Sequence, residues 1–456
     1  GAAALYGQRA ANGAIVITTK SGSKKDKGIG VTVNSNVSFE SMNRSPALQY
    51  EYGQGLGGSA HYSYGPSEDG HSTAGTSSAY GPKFDGQKFF QYDPKTQTVG
   101  LERTPWRAYS GKNGVNAFFD VGRTYTNSVS IDGSTDKTTA RFSATNVQNK
   151  WIVPNTGYKR NTFAISVNSK VSDKLQINTK VNYNNRCSDN LPGSGYGNQS
   201  LMYWYIFWQP SSDINGLKDY WVKGKENERI KYPFSSYPEN PYAIVNEFIN
   251  SNNRHVITGN AQTTYQFTKE LSLLLRASMG LSTENRFQNR PYDAGSRLPE
   301  GSHRTQAIFG KETNADFLLR YQKEINKDFD FSITAGGATL ANEYRRDELA
   351  SDGLTFPGEF NHSNSKYGVR SKQRIEKFET NSFYGLMTAA YREFLFLDAT
   401  ARMDWTSTLH SSAFPDKKVN FFYPSLNGSF LISEIANLPE IISFAKIRAS
   451  IAGTGS

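Results

Sequence analysis

The stretch FAISVNSKVSDKLQINTKVNY, residues 163–183, decides the fold of this chain. Phe163, Ile165, Val167 and Val171 are apolar and alternate with polar or small residues. After the polar turn Ser172-Asp173-Lys174 the same alternation resumes at Leu175 and continues to Tyr183. A two-residue period on both sides of a short polar turn predicts a β-hairpin with one apolar face and one polar face.

The same hairpin pattern recurs along the chain. It predicts strand pairs within 267–281, 317–335 and 384–405, an earlier pair that turns at Asp132-Gly133-Ser134, and a last pair that joins 426–432 to 445–451. We count about 13 strands, most of them at or above the roughly 10 residues that a strand needs to cross a bilayer. The hairpins are separated by long connections at about 40–125, 147–160, 186–254, 283–303, 345–375 and 406–420.

Short and long connections therefore alternate. A soluble β-sandwich has no reason to sort its connections in this way, whereas a membrane β-barrel has short periplasmic turns and long extracellular loops. The predicted fold class is an all-β, transmembrane antiparallel barrel that occupies residues 28–456. An odd number of strands leaves an unpaired edge, which is costly in lipid, so we expect the natural protein to continue past Ser456.

The composition agrees with this class. The chain has 456 residues, of which 13% are aromatic and 40 are glycine, and its mean hydropathy is only -0.60. It contains no apolar run of eighteen residues, so no transmembrane helix is expected. Barrel strands alternate apolar and polar residues and average to a polar value. The net charge of +10 permits an anionic partner, but charged loops or a charged lumen wall explain it equally well, and we expect no nucleic-acid binding.

Motifs for catalysis or metal binding are absent from the sequence. Cys187 is the single cysteine, and the six histidines are scattered without an i, i+4 pair. The segment 53–58 reads GQGLGG and matches G-x-G-x-x-G by letter, but it does not join a strand to a helix. We interpret it as a flexible, tightly turning outer loop. No enzyme activity, cofactor or metal is predicted.

The alternation also assigns side chains to the two faces of the barrel. Apolar members of each strand should face lipid, and their neighbours should face the lumen. Solvation of the wall, or pairing with a plug, is the favoured role for the lumen-facing charges, ahead of direct solute contact. The charged residues predicted to face the lumen are Lys180, Arg276, Arg320, Asp398, Arg402, Asp404, Lys446 and Arg448.

The first residues of the chain carry a longer motif. Residues 1–22 read GAAALYGQRAANGAIVITTKSG, which predicts a short small-residue segment, a turn at Asn12-Gly13 and a buried strand from Ala14 to Thr19. This motif resembles the end of the plug domain in TonB-dependent outer-membrane transporters of the SusC/RagA type. Further resemblances are found in Glu51-Tyr52-Gly53-Gln54-Gly55, Phe118-Phe119-Asp120, Tyr125-Thr126-Asn127-Ser128-Val129, Pro154-Asn155-Thr156-Gly157-Tyr158, Met403-Asp404-Trp405-Thr406-Ser407-Thr408-Leu409, Tyr423-Pro424-Ser425 and Lys446-Ile447-Arg448-Ala449-Ser450.

The resemblance implies a barrel of about 22 strands around a plugged lumen, with residues 1–27 as the end of the plug. It implies location in the bacterial outer membrane, among outer-membrane lipid, and energy from a TonB-ExbB-ExbD complex. It also implies a SusD-like surface lipoprotein as a lid, and oligosaccharides or peptides as solutes. In such a protein Arg9 can pair with barrel carboxylates and hold the plug, although a solvated arginine is an equal alternative.

One aromatic cluster within 186–254 is a candidate for solute contact. Tyr203, Trp204, Tyr205 and Trp208 could stack on sugar rings or peptide side chains. Packing of the loop against the barrel is the alternative that we favour. For the whole chain the rival hypotheses are a passive porin or adhesin-type barrel and a soluble multi-repeat β protein.

Overall fold

The structure is a computed structural model that describes residues 28–195, 200–232, 240–295, 298–415, 418–436, 438–439 and 441–453. The predicted plug segment 1–27, with Arg9 and the strand expected from Ala14 to Thr19, lies outside these residues.

One antiparallel sheet of thirteen strands contains most of the described chain, and its strands pair in sequence order. A separate hairpin, β2 with β3, lies inside the connection between β1 and β4. The expected sheet of about 13 antiparallel strands is confirmed. The strands are β1 (Gly28–Glu40), β2 (Lys88–Asp93), β3 (Thr98–Pro105), β4 (Gly122–Ser134), β5 (Thr138–Lys150), β6 (Gly157–Lys170), β7 (Leu175–Ser188), β8 (Asn250–Gln266), β9 (Leu271–Tyr292), β10 (Glu300–Asn326), β11 (Phe329–Asp352), β12 (Arg370–Tyr391), β13 (Leu395–Thr406), β14 (Asn420–Leu431) and β15 (Lys446–Ala452).

One face of this sheet, which we call the outward face, is apolar. Residues that lie opposite each other in register share a face, so the pairing traces continuous rows across the strands. Many of these side chains are exposed, for example Ile333 at 46% and Leu426 at 54%. One row runs through Leu271, Tyr321, Ile333, Met387, Ala399, Leu426 and Ile451, and another through Val31, Ile131, Phe142, Ile165, Val181, Gly259 and Met279.

Aromatic rings border the apolar rows at both ends. At the end with the short turns, Phe329 packs on Tyr391 with ring centroids 4.7 Å apart, and Phe394 continues the line toward Phe430 at 5.6 Å. Toward the end with the long connections, outward rings again contact each other across strands, as Phe383 does with Trp405. Two aromatic girdles around an apolar band are the signature of a membrane barrel.

The apolar band has the height of a bilayer. On β11 the outward positions from Phe329 to Ala341 are apolar or small, and the next outward residue is Glu343. This interval corresponds to about 30 Å along the membrane normal for a strand tilted as in barrels, which matches a hydrocarbon core of about 30 Å. Beyond it the outward face becomes charged, and Glu343 forms an ion pair of 3.1 Å with Lys377.

The strands extend further beyond this band than the sequence indicated. The connection expected at 283–303 is only 293–299, because β9 has 22 residues and β10 has 27. Similarly, 345–375 shortens to 353–369, and 147–160 to 151–156. Above the lipid both faces meet water, so the alternation is lost although the hydrogen-bonded ladder continues. The turn expected at Asp132-Gly133-Ser134 also lies inside β4.

Among the described residues, most of the hydrophobic core lies in the long connections. Its largest cluster joins Phe118 from 41–121 to residues of 189–249 and to Ala294. Two short helices contribute to it, α1 (Leu201–Ile206) and α2 (Pro241–Glu247). Ser200 and Asn240 cap them by accepting hydrogen bonds from the backbone at the start of each helix. The long connections thus form a packed cap at one end of the barrel wall.

Within the described part of the chain, no helix has the length and apolarity needed to cross a membrane.

The two faces can be compared through neighbouring residues of β14. Leu426→Arg places a guanidinium in the apolar band and should lower the free energy of unfolding in lipid vesicles by about 2 kcal/mol. Asn427→Arg is the matched control, because Asn427 lies on the other face opposite Asp398 and should tolerate the charge. Urea titration of the whole protein in vesicles measures both, and equal losses for the two variants would contradict the assignment of the faces.

Candidate functional site

The face opposite the apolar band, which we call the inner face, carries the charged residues that the sequence singled out. In register, Lys180 pairs with Asn260, Arg320 with Thr334, and Asp398 with Asn427. These positions lie between the apolar ones, as do the remaining charged positions, Arg276, Arg402, Asp404, Lys446 and Arg448. Their role in a lumen stays a prediction.

Arg402 and Asp404 form a buried ion pair on β13. Nε of Arg402 donates to Oδ1 of Asp404 at 2.7 Å, and Nη2 donates to the hydroxyl of Ser382 at 2.8 Å. The guanidinium also lies 5.0 Å from the ring centroid of Tyr384. Arg402 is 8% exposed and Asp404 is 5% exposed. A buried pair is retained only where further hydrogen bonds satisfy both charges, which Ser382 helps to do.

A second ion pair lies on the same row of the inner face. Arg276 on β9 donates through Nε to Oδ1 of Asp316 on β10 at 2.8 Å. The row continues from Asp316 through Ala338 to Ser382 and Asp404. This part of the wall therefore presents cations and anions in alternation with little net charge. Such a surface solvates polar groups without holding a strongly charged solute.

Tyr384 lies against the guanidinium of Arg402, and a glycine makes room for its ring. A Cβ atom at Gly336 would lie 2.5 Å from the ring of Tyr384. The absence of a side chain on β11 at this point lets the ring lie across the strand. By contrast, Lys180, Arg320 and Asp398 lie on other rows of the inner face.

The predicted aromatic cluster lies inside the cap. Tyr203, Trp204, Tyr205 and Trp208 are all buried, and the last three belong to the largest hydrophobic cluster. Trp204 packs on Phe118 with ring centroids 5.3 Å apart. In the structure these side chains are packed inside the cap, and packing is the alternative to ligand contact. Ligand contact by these residues stays a prediction.

A polar cavity of about 430 Å³, which the sequence analysis missed, lies on the inner face of β8 and β9 above the band. Glu284 accepts hydrogen bonds from Nε of Arg286 at 2.8 Å and from Nδ2 of Asn252 at 3.1 Å. Arg290 donates to Oδ1 of Asn250 at 2.8 Å. Oδ1 of Asn252, a residue that lines the cavity, is buried and has no hydrogen-bond partner among the described residues.

Only one signal in the sequence could have revealed this cavity. The segments 250–254 and 284–290 are polar at nearly every position, where the rest of β8 and β9 alternates. This pattern predicts a loop, because alternation is lost both in loops and in strands whose two faces are exposed to water.

Two histidines lie at the base of the connection 353–369. The ring of His362 lies 4.6 Å from that of His303, and its nitrogens contact the hydroxyls of Thr305 and Ser351 at 3.0 and 2.9 Å. Burial lowers the pKa of the His362 imidazole, so the structure favours the neutral ring. The described residues contain no group of three or more His, Cys, Asp or Glu side chains that could hold a metal ion.

A sheet with an apolar outward band, aromatic girdles, a polar inner face and a folded loop cap defines an outer-membrane β-barrel. Comparison with known proteins agrees. No family model matches the chain. It is 25% identical, over 99% of its length, to TonB-dependent receptor P26 of Formosa agariphila, and 24% identical, over 74%, to TonB-dependent receptor SusC of Bacteroides thetaiotaomicron.

Solved structures show the same fold. The RagAB peptide importer in its closed-closed and open-open states aligns with 98% of this chain at TM-scores of 0.70, with 17% and 18% identity. The alignment covers 49% of the importer chain in both states. Likewise, the chain spans 42% and 31% of the two curated relatives. The resemblance to part of a SusC/RagA-like TonB-dependent transporter is confirmed, as is the outer-membrane location. The relatives are named receptors, not enzymes, which agrees with the expectation of no enzyme activity.

The two ion pairs of the inner face should differ in their contribution to stability. Arg402→Met leaves the buried carboxylate of Asp404 without its main donor and should lower the free energy of unfolding by about 3 kcal/mol. Arg276→Met is the control and should cost less than about 1 kcal/mol, since that pair is partly exposed. Denaturant titration measures both. Equal costs for the two variants would show that Arg402 and Asp404 are not held as described.

Acidification should loosen the connection 353–369. Because the pKa of His362 is lowered on folding, the unfolded segment binds a proton more readily, and stability falls as the pH drops through about 6.5. Hydrogen exchange at pH 7.5 and 5.5, corrected for intrinsic rates, should show reduced protection at the lower pH. The variant His362→Gln lacks the titrating ring and should show a smaller change. An identical change in both proteins would contradict the role of His362.

Proposed function

We propose that the whole protein containing this chain actively imports oligosaccharides or peptides across the bacterial outer membrane with energy from a TonB-ExbB-ExbD complex. The observation that carries the proposal is a bilayer-high apolar band on a sheet whose opposite face is polar and whose sequence matches TonB-dependent receptors over nearly all of the chain. An apolar band serves to anchor, and a polar inner face serves to conduct a hydrated solute.

In this proposal residues 28–456 contribute roughly half of the barrel wall, and residues 1–27 form the end of a plug. The inner face supports a path for polar solutes. The charges of Arg276 and Arg402 are each compensated by an aspartate partner, and the cavity at Glu284 and Asn252 offers hydrogen-bond donors and acceptors. Arg9 would face an inner carboxylate and hold the plug. Lys180, Arg320 and Asp398 would solvate the wall.

The cap supports a gated site and not an open pore. The connections 41–121 and 189–249 pack on each other through a hydrophobic cluster, which Trp204 and Trp208 help to form. In the proposal this rigid cap presents the solute to the plug and receives a SusD-like lipoprotein lid. Solute binding shifts the plug toward a state that the periplasmic energy source can displace.

Uptake should depend on TonB. Cells that produce the whole protein should accumulate fluorescent oligosaccharides or peptides, and deletion of TonB should reduce the rate to that of cells lacking the protein. A variant without the residues before Gly28 should show a standing conductance in planar bilayers, because the plug has been removed. Uptake that persists unchanged without TonB, together with a standing conductance of the unaltered protein, would favour a passive porin.

A further inference from the structure

The segment 53–58 that resembled a nucleotide-binding motif has a different structural role. It pairs with 78–82 through backbone hydrogen bonds, including the nitrogen of Gly53 to the oxygen of Pro82 at 3.0 Å and the nitrogen of Gly55 to the oxygen of Ser78 at 2.9 Å. The segment turns tightly, with positive φ at Gly55, Gly57 and Gly58, and it is paired with a facing segment, while its flexibility stays a prediction.

Glycine is required where these two segments cross. A Cβ atom at Gly53 would lie 2.1 Å from Cζ2 of Trp106, and one at Gly81 would lie 2.1 Å from the backbone oxygen of Gln54. Trp106 is 2% exposed, stacks on Tyr62 at 4.3 Å, and donates from Nε1 to the oxygen of Pro82 at 3.0 Å. The glycines let the backbone rest directly on this aromatic core, which makes a firm base.

Three tyrosines are mounted on that base. Tyr50, Tyr52 and Tyr80 border one open cavity of about 660 Å³, and they are 44%, 43% and 71% exposed. Among the described residues, no hydrogen bond engages their hydroxyl groups. We call these three residues the tyrosine platform. It lies in the cap, on the side of the membrane that has the long connections.

The backbone donors that join the two segments under the platform are engaged within the protein. The nitrogens of Gly53, Gly55 and Gly58 donate to the facing segment, and those of Tyr80 and Gly81 donate in return. The nitrogens of Glu51 and Tyr52 donate to the side chain of Gln49. Peptides in extended form are commonly held by adding a strand to a free edge, and this edge is already used.

The remaining chemistry of the cavity suits a neutral ligand with flat apolar faces and many hydroxyl groups. Glu51 and Lys83 contribute one negative and one positive charge, which cancel. The amide of Gln87 is engaged by the carboxylate of Asp85 at 2.7 Å. The groups that can recognise a ligand are therefore the tyrosine ring faces, the tyrosine hydroxyls and the compensated charge pair. Sugar rings present apolar C–H faces with hydroxyls at their edges, which matches this set.

We propose that the tyrosine platform is a subsite in the cap that binds a neutral oligosaccharide by stacking its rings on Tyr50, Tyr52 and Tyr80. This inference rests on the proposed import function and narrows its solute class to sugars. The three rings are exposed at rest and supported from below, so binding orders little of the chain and the stacking energy is retained as affinity.

Binding of the purified whole protein to defined probes tests the proposal. The probes are neutral hexasaccharides of glucose, mannose, xylose and fructose, together with uncharged hexapeptides, in titration calorimetry. At least one hexasaccharide should bind, and Tyr80→Ala should weaken it about fivefold, since a stacked ring contributes on the order of 1 kcal/mol. Tyr80→Phe keeps the ring face and should retain most of the affinity.

The matched control is Tyr367→Ala, which removes an equally exposed tyrosine of the connection 353–369, outside the platform. It should leave binding unchanged. Hexasaccharide binding that survives in the triple variant Tyr50→Ala, Tyr52→Ala, Tyr80→Ala would overturn the proposal. So would failure of every hexasaccharide to bind the unaltered protein. A third contrary result would be that the variants lose affinity only for the hexapeptides. TonB-independent uptake would instead refute the import function, so the two failures are distinguishable.

Discussion

Backbone hydrogen bonding in lipid is the constraint on which the rest of this structure depends. At the depth of the hydrocarbon core no water satisfies an N–H or C=O group, so each strand must pair on both sides with another strand. Pairing of this kind forces side chains to alternate between the two faces of the sheet. The outward rows, such as that of Ile333, are then apolar because they meet lipid, and the inner rows are free to carry Arg276 or Asp404.

The same constraint explains where the hydrophobic core is found. A single-layered wall has no second layer to pack against, so its apolar side chains remain exposed to the membrane. Burial of the conventional kind is instead found in the cap, around Trp204 and around Trp106. The cap is a folded unit in its own right, with two packed clusters. A firm cap is what a solute site outside the membrane needs, because ligand-binding groups must be held in place before the ligand arrives.

The sequence was most informative where one face of a strand meets lipid. The alternation at 163–183 located β6 and β7 to within a few residues, and the same signal located the other hairpins. The alternation is lost above the membrane, where the sequence predicts loops at 283–303 and 345–375 although β9 to β12 continue there. The sequence also does not predict contacts between distant segments. The residues around Gly53 do not indicate its contact with Trp106, and those around Asn252 do not indicate its contact with Glu284. Long-range packing leaves no periodic signal.

The accessibility of spin labels along β9 tests most directly whether this sheet lies in the membrane. With Cys187 replaced by serine, single cysteines at successive positions from 271 to 279 can carry nitroxide labels in the whole protein reconstituted in vesicles. We expect collisions with oxygen dissolved in lipid to alternate strictly, high at Leu271, Leu273 and Leu275 and low at Ser272, Leu274 and Arg276. Equal accessibility at odd and even positions, or contact of both faces with water-soluble relaxing agents, would contradict a sheet embedded in the membrane.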